Sequence, residues 1–567
     1  MPVPAIQELT LFHPPGRFGV SGNPFGKDVA NGALFAALAH WGGYRRLTVL
    51  NQYGLTPEQI ADGLFESQPQ RPCPEIATGP LWSAELPSRS GVVLRGQPYL
   101  SELAWIRRGG GGDHAYSIVG LIHTLAPPAI RESIGATAIA PLQSWDALVC
   151  TSPAVQQGLQ DLFEHWGGYL RERFDGQVSH RPELPLIPLA VDVDRIAAQA
   201  ASTTARAALR GRLGIADNDI LVLWVGRLSY FEKAFPQVMF KAVQDAARDA
   251  DVRVHFALIG WFPNGEADQE LYRQAADVYA ADLNILVLDG NDQELLAQGW
   301  AAADIFVSLV DNIQETFGLA PVEAMAAGLP VVASDWDGYR YTIRDGVDGF
   351  LVPTLGCPGG FSGRLLSHQH SLGLLSYQTY VGAVAQHTAV HPGRAAAALA
   401  RLIASPELRA SMGASGQRRA KEMFSWPVVV EQYNQLFGEL AQRRAHAPLA
   451  ERDVSSYSIS PLRGDPFEDF AGFASHVLGA DQRLRLCPGV QRQSLVQARL
   501  VELNCKYQGL HGSFEEAYAI LDLLAAAVDP VQGRSLSELL MVFPEGRRHL
   551  IPATLVWLAK LGLVDWL

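Results

Sequence analysis

Short runs of apolar, mostly β-branched residues alternate along this chain with longer stretches whose apolar positions recur at helical spacing. Such alternation predicts parallel strands joined by helices. The fullest unit spans residues 304–338. An apolar run at 304–310 predicts a buried strand, and a polar loop follows at 311–316. Helix-period text from about 317 to 327 closes on Gly328 and Pro330, a glycine stop followed by a helix breaker. A second apolar run at 330–333 completes a β-α-β unit. In parallel sheets, ligands sit beyond the carboxyl ends of the strands, where helix N-termini point. Two carboxylates, Glu315 and Glu323, flank that place with seven residues between them.

The rest of the chain extends the pattern in both directions. ELTLFH (8–13) predicts a first strand, followed by a glycine- and proline-rich loop at 14–27 and a helix from near Asp28. RRLTVLNQYG carries the next strand. Residues 55–100 are irregular and proline-rich and predict no assigned element, and RRGGGGDH (107–114) reads as a loop. YSIVGLIHTLA predicts a buried strand ending at His123. WDALVCTS predicts another, closed by Thr151 and Ser152 as a cap for the following helix. LPLIPLAVDVDRI predicts a short strand and a helix start where a first domain should end. ILVLWVGRLSY, VRVHFALIG and LNILVLDG predict three strands of a second sheet over about 218–355, with 304–310 near its centre. The expectation is an α/β protein with two Rossmann-like doubly wound domains, 1–195 and 215–445. A glycine- and histidine-bearing insertion interrupts the second at 356–391. A linker at 446–466 leads to a helical accessory segment, 467–567, without strands.

At 567 residues the chain exceeds what one core holds, since single cores stop growing near 250–300 residues. Its net charge of −13 argues against a surface that coats nucleic acid. The five cysteines (Cys73, Cys150, Cys357, Cys487, Cys505) are scattered and lack CxxC spacing. That predicts a reducing compartment, no disulfide framework and no structural zinc. The N-terminus has neither the charged nor the apolar region of a signal peptide, and no run of about 18 apolar residues occurs. The expected location is the cytoplasm.

Three stretches together carry a family resemblance: Glu315-TFGLAPV-Glu323 with AMAAGLPVV, then GYRYTIRDGVDGFLVP, and upstream VGRLSYFEK. The chain resembles retaining glycosyltransferases of the GT-B fold, the nucleotide-sugar-dependent "family 4" group, over roughly 8–445 and most strongly over 220–355. The resemblance implies that two doubly wound domains face each other across a cleft. It also implies that a sugar leaves a nucleoside diphosphate through an oxocarbenium-like transition state, with negative charge growing on the phosphate oxygens. Without a metal, cations and amides must stabilise that charge. Arg227 and Lys233 follow a strand where such cations are needed. The helix starting near Phe317, Gly318 and Leu319 would offer its amides and positive dipole end. By the same resemblance Glu315 binds donor-sugar hydroxyls, Glu323 binds the ribose, His123 lies beside the reacting sugar, and Gly26 stands in the glycine loop of the first domain. The catalytic set so implied is His123, Glu315, Arg227 and Lys233. Two departures from the family pattern stand out: Ala234, not glycine, follows Lys233, and SGNPFGK (21–27) lacks paired glycines.

Two D-x-D strings, Asp192 with Asp194 and Asp335 with Asp337, read as a domain junction and a loop rather than metal ligands. His368, His370, His387 and His391 match no metal-ligand spacing and suggest a polar, acceptor-facing insertion. The implied function is retaining transfer from a UDP-, GDP- or ADP-sugar to a hydroxyl of a saccharide or lipid-linked acceptor, as in polysaccharide biosynthesis, with no cofactor and no nucleic acid. One alternative is a sugar-phosphate synthase, with Lys27, Arg107 and Arg108 as extra cations in the first-domain cleft. Another is a non-catalytic nucleotide-sugar-binding scaffold. A protein partner for the C-terminal helices, and peripheral contact with the cytosolic face of a membrane, are left open.

Overall fold

The computed structural model describes residues 6–16, 18, 26–65, 74–175, 181–448, 457–507 and 509–567. The chain divides into a large unit, Met1–Ile459, and a small one, Ser460–Leu567. The large unit is built on two six-stranded parallel sheets. The first comprises β1 (Glu8–Phe12), β2 (Arg46–Asn51), β3 (Glu75–Pro80), β4 (Val92–Arg95), β5 (Ser117–Leu121) and β6 (Ala147–Val149), in the order β3-β2-β1-β4-β5-β6. The second comprises β7 (Ile220–Arg227), β8 (Val254–Trp261), β9 (Asn284–Asp289), β10 (Ile305–Ser308), β11 (Val331–Ser334) and β12 (Gly349–Val352), in the order β12-β11-β10-β7-β8-β9. Alternate residues of β7 enter separate cores, Val222 and Trp224 on one face, Leu221 and Leu223 on the other. Burial on both faces explains why these strands read as unbroken apolar runs.

Each sheet reverses direction once, between β1 and β4 in the first and between β7 and β10 in the second. A crevice opens above the strand ends at such a switch. The β7–β10 seam is anchored from below by Asp304, which pairs with Arg206 at 2.7 Å and Arg210 at 3.1 Å and also accepts the Leu221 amide at 2.8 Å.

Among its described residues, the unassigned stretch 55–100 contains two strands and two helices: Pro57–Phe65, β3, Glu85–Ser90 and β4. β3 is a half-exposed edge strand ending in Pro80, and β4 has only four residues, so neither leaves a clear apolar signature. The loop expected at 107–114 is corrected as well. Residues 107–111 lie in the helix Ser101–Gly111, because the fully buried Arg107 locks it down. Its guanidinium donates to both carboxylate oxygens of Asp146, at 2.6 and 2.8 Å, and to the Tyr116 carbonyl at 2.7 Å. That network outweighs the helix-weakening glycines. The strand expected near 184–190 is reduced to isolated bridges beside β6.

Residues 356–391 do form an excursion. Thr354–Gly356 and Thr388–Val390 pair antiparallel, and helices Phe361–Ser371 and Tyr377–Ala385 lie between them. Helix Trp426–His446 then returns to the first sheet, where Val429, Val430, Tyr433, Phe437 and Leu440 enter its core. In the small unit, the expected helices surround a core that includes Leu521, Leu555 and Leu558. They are joined by a three-stranded antiparallel sheet with Arg483–Leu486 between Arg534–Ser535 and Val564–Trp566. Strands of two to four residues are too short to show an alternating pattern, so this sheet was not foreseen.

Replacing Arg107 by methionine leaves the Asp146 carboxylate buried without its cation. The expected cost is about 3–5 kcal/mol, read as a lower urea midpoint for the first-sheet transition. Asp146→Asn in the same background, which removes the unpaired charge and keeps an acceptor for the Ile118 amide, should recover part of it.

Candidate active site

Two loops meet above the β7–β10 switch. The first leaves β7 through Arg227 and turns tightly, with the Lys233 amide donating to the Ser229 carbonyl at 2.9 Å and the Glu232 amide to Ser229 Oγ at 3.2 Å. The second leaves β10 and carries Glu315. Asn312 ties the two together: its Nδ2 donates to the Phe231 carbonyl at 2.6 Å, while its Oδ1 accepts the Gln314 amide at 2.9 Å. Its carbonyl accepts the Glu315 amide at 3.2 Å and Trp336 Nε1 at 3.1 Å. The consequence is a direct ion pair, Lys233 Nζ to Glu315 Oε2 at 2.8 Å. Arg227, at the end of β7, pairs with Glu232, the residue before Lys233.

The chain then turns into helix Leu319–Ala326. Gly318 has φ of +82°, and a Cβ there would stand 1.9 Å from the Tyr339 ring, so only glycine fits. No side chain among the described residues caps this helix, which leaves its first-turn amides and dipole directed at the crevice. Phe317 points the other way. Its side chain is buried against Phe424, with ring centroids 5.9 Å apart, so it can offer the crevice only main chain. Leu319 is half-buried. Within the helix, burial raises the Glu323 carboxyl above its ordinary range, and Arg195 opposes that shift.

From the first sheet comes His123, two residues beyond β5. Its Nε2 faces Asn31 Oδ1 at 2.8 Å and the Gly96 carbonyl at 3.1 Å. Asn31 Nδ2 donates to the same carbonyl at 2.9 Å, which fixes the amide so that Oδ1 accepts. Two acceptors at Nε2 place the proton there and leave Nδ1 as the acceptor. Burial, with Lys27 nearby, lowers the imidazole to about 4, so it is neutral at pH 7. Gly96 makes this approach possible, because a Cβ there would lie 2.4 Å from Asn31 Oδ1.

Among the described residues, two hydrogen bonds cross from one sheet's loops to the other's. Thr316 Oγ1 donates to the His123 carbonyl at 2.7 Å, and Ser152 Oγ donates to Asp337 Oδ1 at 2.7 Å. Ser152 also caps the following helix as expected, accepting the Val155 amide at 3.1 Å. The first crossing bond joins the residue after Glu315 directly to His123. His123, Lys233, Arg227 and Glu315 thus gather at one crevice.

The sequence model of the family "Glycosyl transferases group 1" matches residues 205–355, the segment that holds Arg227, Lys233, Glu315 and Glu323. This segment is a glycosyl transferases group 1 domain. The chain is similar to D-inositol 3-phosphate glycosyltransferase of Geodermatophilus obscurus, 37% identical over 175 residues, which are 30% of this chain and 36% of that protein. It is similar to the enzyme of the same name from Nocardia farcinica, 34% identical over 150 residues, 26% of this chain and 32% of that one. The match thus spans about a third of the length of these curated relatives. Among solved structures it is similar to Anabaena Alr3699/HepE in complex with UDP and glucose, with 15% identity over 76% of this chain and all of that one, at a TM-score of 0.49. Paired six-stranded parallel sheets, each with one order reversal, give the large unit the GT-B fold.

Other candidates are distributed around the group 1 domain. Gly26 opens helix Gly26–Trp41, and a Cβ there would meet nothing within 4 Å; the loop before it, 19–25, lies outside the described residues, as does Cys73. Arg107 and Arg108 do not serve as cleft cations. Arg107 is sealed with Asp146, and Arg108 pairs with Asp113. Lys27 is exposed near His123. Asp335 pairs with Arg340 at 2.7 Å, and Asp192 caps helix Val193–Ala200. His370 bonds the Leu375 carbonyl, His387 the Ala383 carbonyl, and His391 caps helix Pro392–Ala404. Sequence reasoning missed Asn31, Gly96 and Thr316, and it read Ser152 only as a cap and Asp337 only as a loop residue, not as crossing partners. Only Asn31 had a local signal, a lone amide in the apolar text of a buried helix.

Asp337 has φ of +35° and a carboxyl pushed up to about 7, chiefly by burial and further by nearby Glu315, against the Ser152 hydrogen bond. A raised carboxyl keeps its proton in the folded state after the unfolded chain has lost it. Asp337 therefore lowers stability progressively as pH rises from about 4 to about 7, and the cost is constant above that. Asp337→Asn removes this titration. The Tm of the variant relative to wild type should be higher at pH 8 than at pH 5 by thermal melts, and an equal difference at both pH values would contradict the assignment.

Proposed function

We propose that this protein transfers a glycosyl unit from a nucleoside-diphosphate sugar to an acceptor hydroxyl with retention of configuration. The observation that carries this reading is the Lys233–Glu315 ion pair, set at the switch point of the donor-side sheet beside the open end of helix Leu319–Ala326. A nucleoside diphosphate needs a diol acceptor, a diphosphate cradle and groups for the sugar hydroxyls. Glu323 suits the ribose diol, since a carboxylate accepts from paired hydroxyls. Arg227, Lys233 and the helix amides suit the diphosphate, whose charge grows as the sugar departs. Glu315 suits the sugar hydroxyls and orients the anomeric carbon toward the first-sheet side. His123 is neutral, so it adds no positive charge beside an oxocarbenium-like centre, and its Nδ1 can accept from a sugar hydroxyl. In this reading residues 1–195 present the acceptor and residues 215–445 hold the donor, a UDP-, GDP- or ADP-sugar.

The acceptor is a hydroxyl of a saccharide, a polyol phosphate or a lipid-linked saccharide. The relatives' names point to the second of these. Arg107 and Arg108 are both engaged elsewhere, so neither serves a phosphorylated acceptor, and Lys27 is exposed near His123. No helix among the described residues is long and apolar enough to cross a membrane. We place the reaction in the cytoplasm.

Glu315→Gln should lower kcat about 10²–10³-fold, the scale of losing one stabilising polar contact in the transition state. The measurement is release of nucleoside diphosphate from a panel of UDP-, GDP- and ADP-sugars. Wild-type protein that neither turns over nor binds any of them by calorimetry would overturn the reading.

A further inference from the structure

The excursion at 354–391 has no role in the reaction as described so far, yet one of its helices rests on both arms of the site. The strand pair Thr354–Gly356 and Thr388–Val390 holds its ends together. Helix Phe361–Ser371 is largely exposed, whereas helix Tyr377–Ala385 buries Val381, Gly382 and Ala385. A Cβ on Gly382 would stand 3.1 Å from Phe231 Cβ, so this helix lies directly against the β7 arm, two residues before Lys233. At its other end, Tyr377 donates its hydroxyl to Gln314 Oε1 at 2.8 Å, one residue before Glu315.

Several contacts hold Tyr377 in place. Ser376 Oγ accepts the Thr379 amide at 3.1 Å and caps the helix. The preceding turn is tied by His370, whose Nδ1 lies 3.0 Å from the Leu375 carbonyl and whose ring stacks on Tyr380 at 4.9 Å. Burial and nearby Glu232 raise the Tyr377 phenol, so its proton stays available for donation at any working pH. The hydroxyl therefore adds a tether at Gln314 to a loop that Asn312 holds at its base and Thr316 ties to His123 at its far end.

We propose that helix Tyr377–Ala385 is a brace that sets the geometry of the Lys233–Glu315 pair, and that Tyr377 is a positioning residue for the donor sugar. The brace touches the Lys233 arm through Phe231 and the Glu315 arm through Gln314, so it fixes the separation of the two charged groups from above. The donor-sugar role rests on the function proposed above; the mechanical role stands apart from it.

Tyr377→Phe removes the hydroxyl and keeps the ring. Hydrogen–deuterium exchange over residues 311–317 needs no substrate, and the amides of Gln314 and Glu315 should exchange about three- to tenfold faster, the scale of one lost hydrogen bond. kcat for the donor should fall by a similar factor, with Tm and the acceptor KM unchanged. Gln314→Leu should produce the same loss alone and add nothing in the Tyr377→Phe background. Unchanged exchange at 314–315, or losses that multiply in the double variant, would overturn the brace. Exchange that quickens in a protein whose wild type turns over no nucleotide-sugar would support the brace and overturn the donor reading.

Discussion

Two oppositely charged side chains from loops eighty residues apart in sequence can pair only if the strands beneath them are neighbours. Lys233 and Glu315 meet because β7 and β10 run side by side in one parallel sheet, held in register by Asp304 and its two arginines. Everything else at the site is arranged around that seam. Gly318 lets the chain turn into the helix, Asn312 ties the two arms, and Thr316 carries the connection to His123. The pair also has a cost. Holding a lysine against a carboxylate in a partly enclosed crevice is of small benefit to stability by itself. A polar donor that can replace either partner makes the same arrangement useful.

The first-sheet side manages charge differently. His123 is surrounded by acceptors and buried, so it is kept neutral, whereas Lys233 and Arg227 each stand in an ion pair with a glutamate. The crevice thus has ion-paired side chains on the second-sheet side and a neutral imidazole on the first-sheet side. Arg107 shows the contrast. It is the same residue type as Arg227, but it is spent wholly on Asp146 and on holding a glycine-rich helix in place.

What could be read from the sequence follows from how local each signal was. β7, β8 and β10 are long or fully buried and stood out as apolar runs, and Glu315, Glu323, Arg227 and Lys233 sit at fixed offsets from them. β3 and β4 are an edge strand and a four-residue strand in proline-rich text, and their signal was lost. RRGGGGDH was misread because glycine content speaks against a helix, whereas the deciding contact, with Asp146, lies 39 residues away. The crossing contacts were beyond reach for the same reason. Thr316 and His123 are 193 residues apart, Ser152 and Asp337 185, and no spacing rule connects them.

The return of helix Trp426–His446 to the first sheet has a consequence for how the molecule is made. Its aromatic and aliphatic residues complete a core whose other members begin at Leu9, and Arg444 satisfies the Gly91 carbonyl and Ser117 Oγ. A nascent chain emerging from the ribosome therefore presents β1 to β6 with one face covered only in part, by helices Gly26–Trp41 and Pro57–Phe65, until more than four hundred residues have been made. The second sheet can close on itself before the first one can. The outgoing and returning segments also run together, with the Val191 amide donating to the Phe424 carbonyl at 2.9 Å. One lobe is thus the last to be sealed, and the strap that seals it passes alongside the strand of chain that left it.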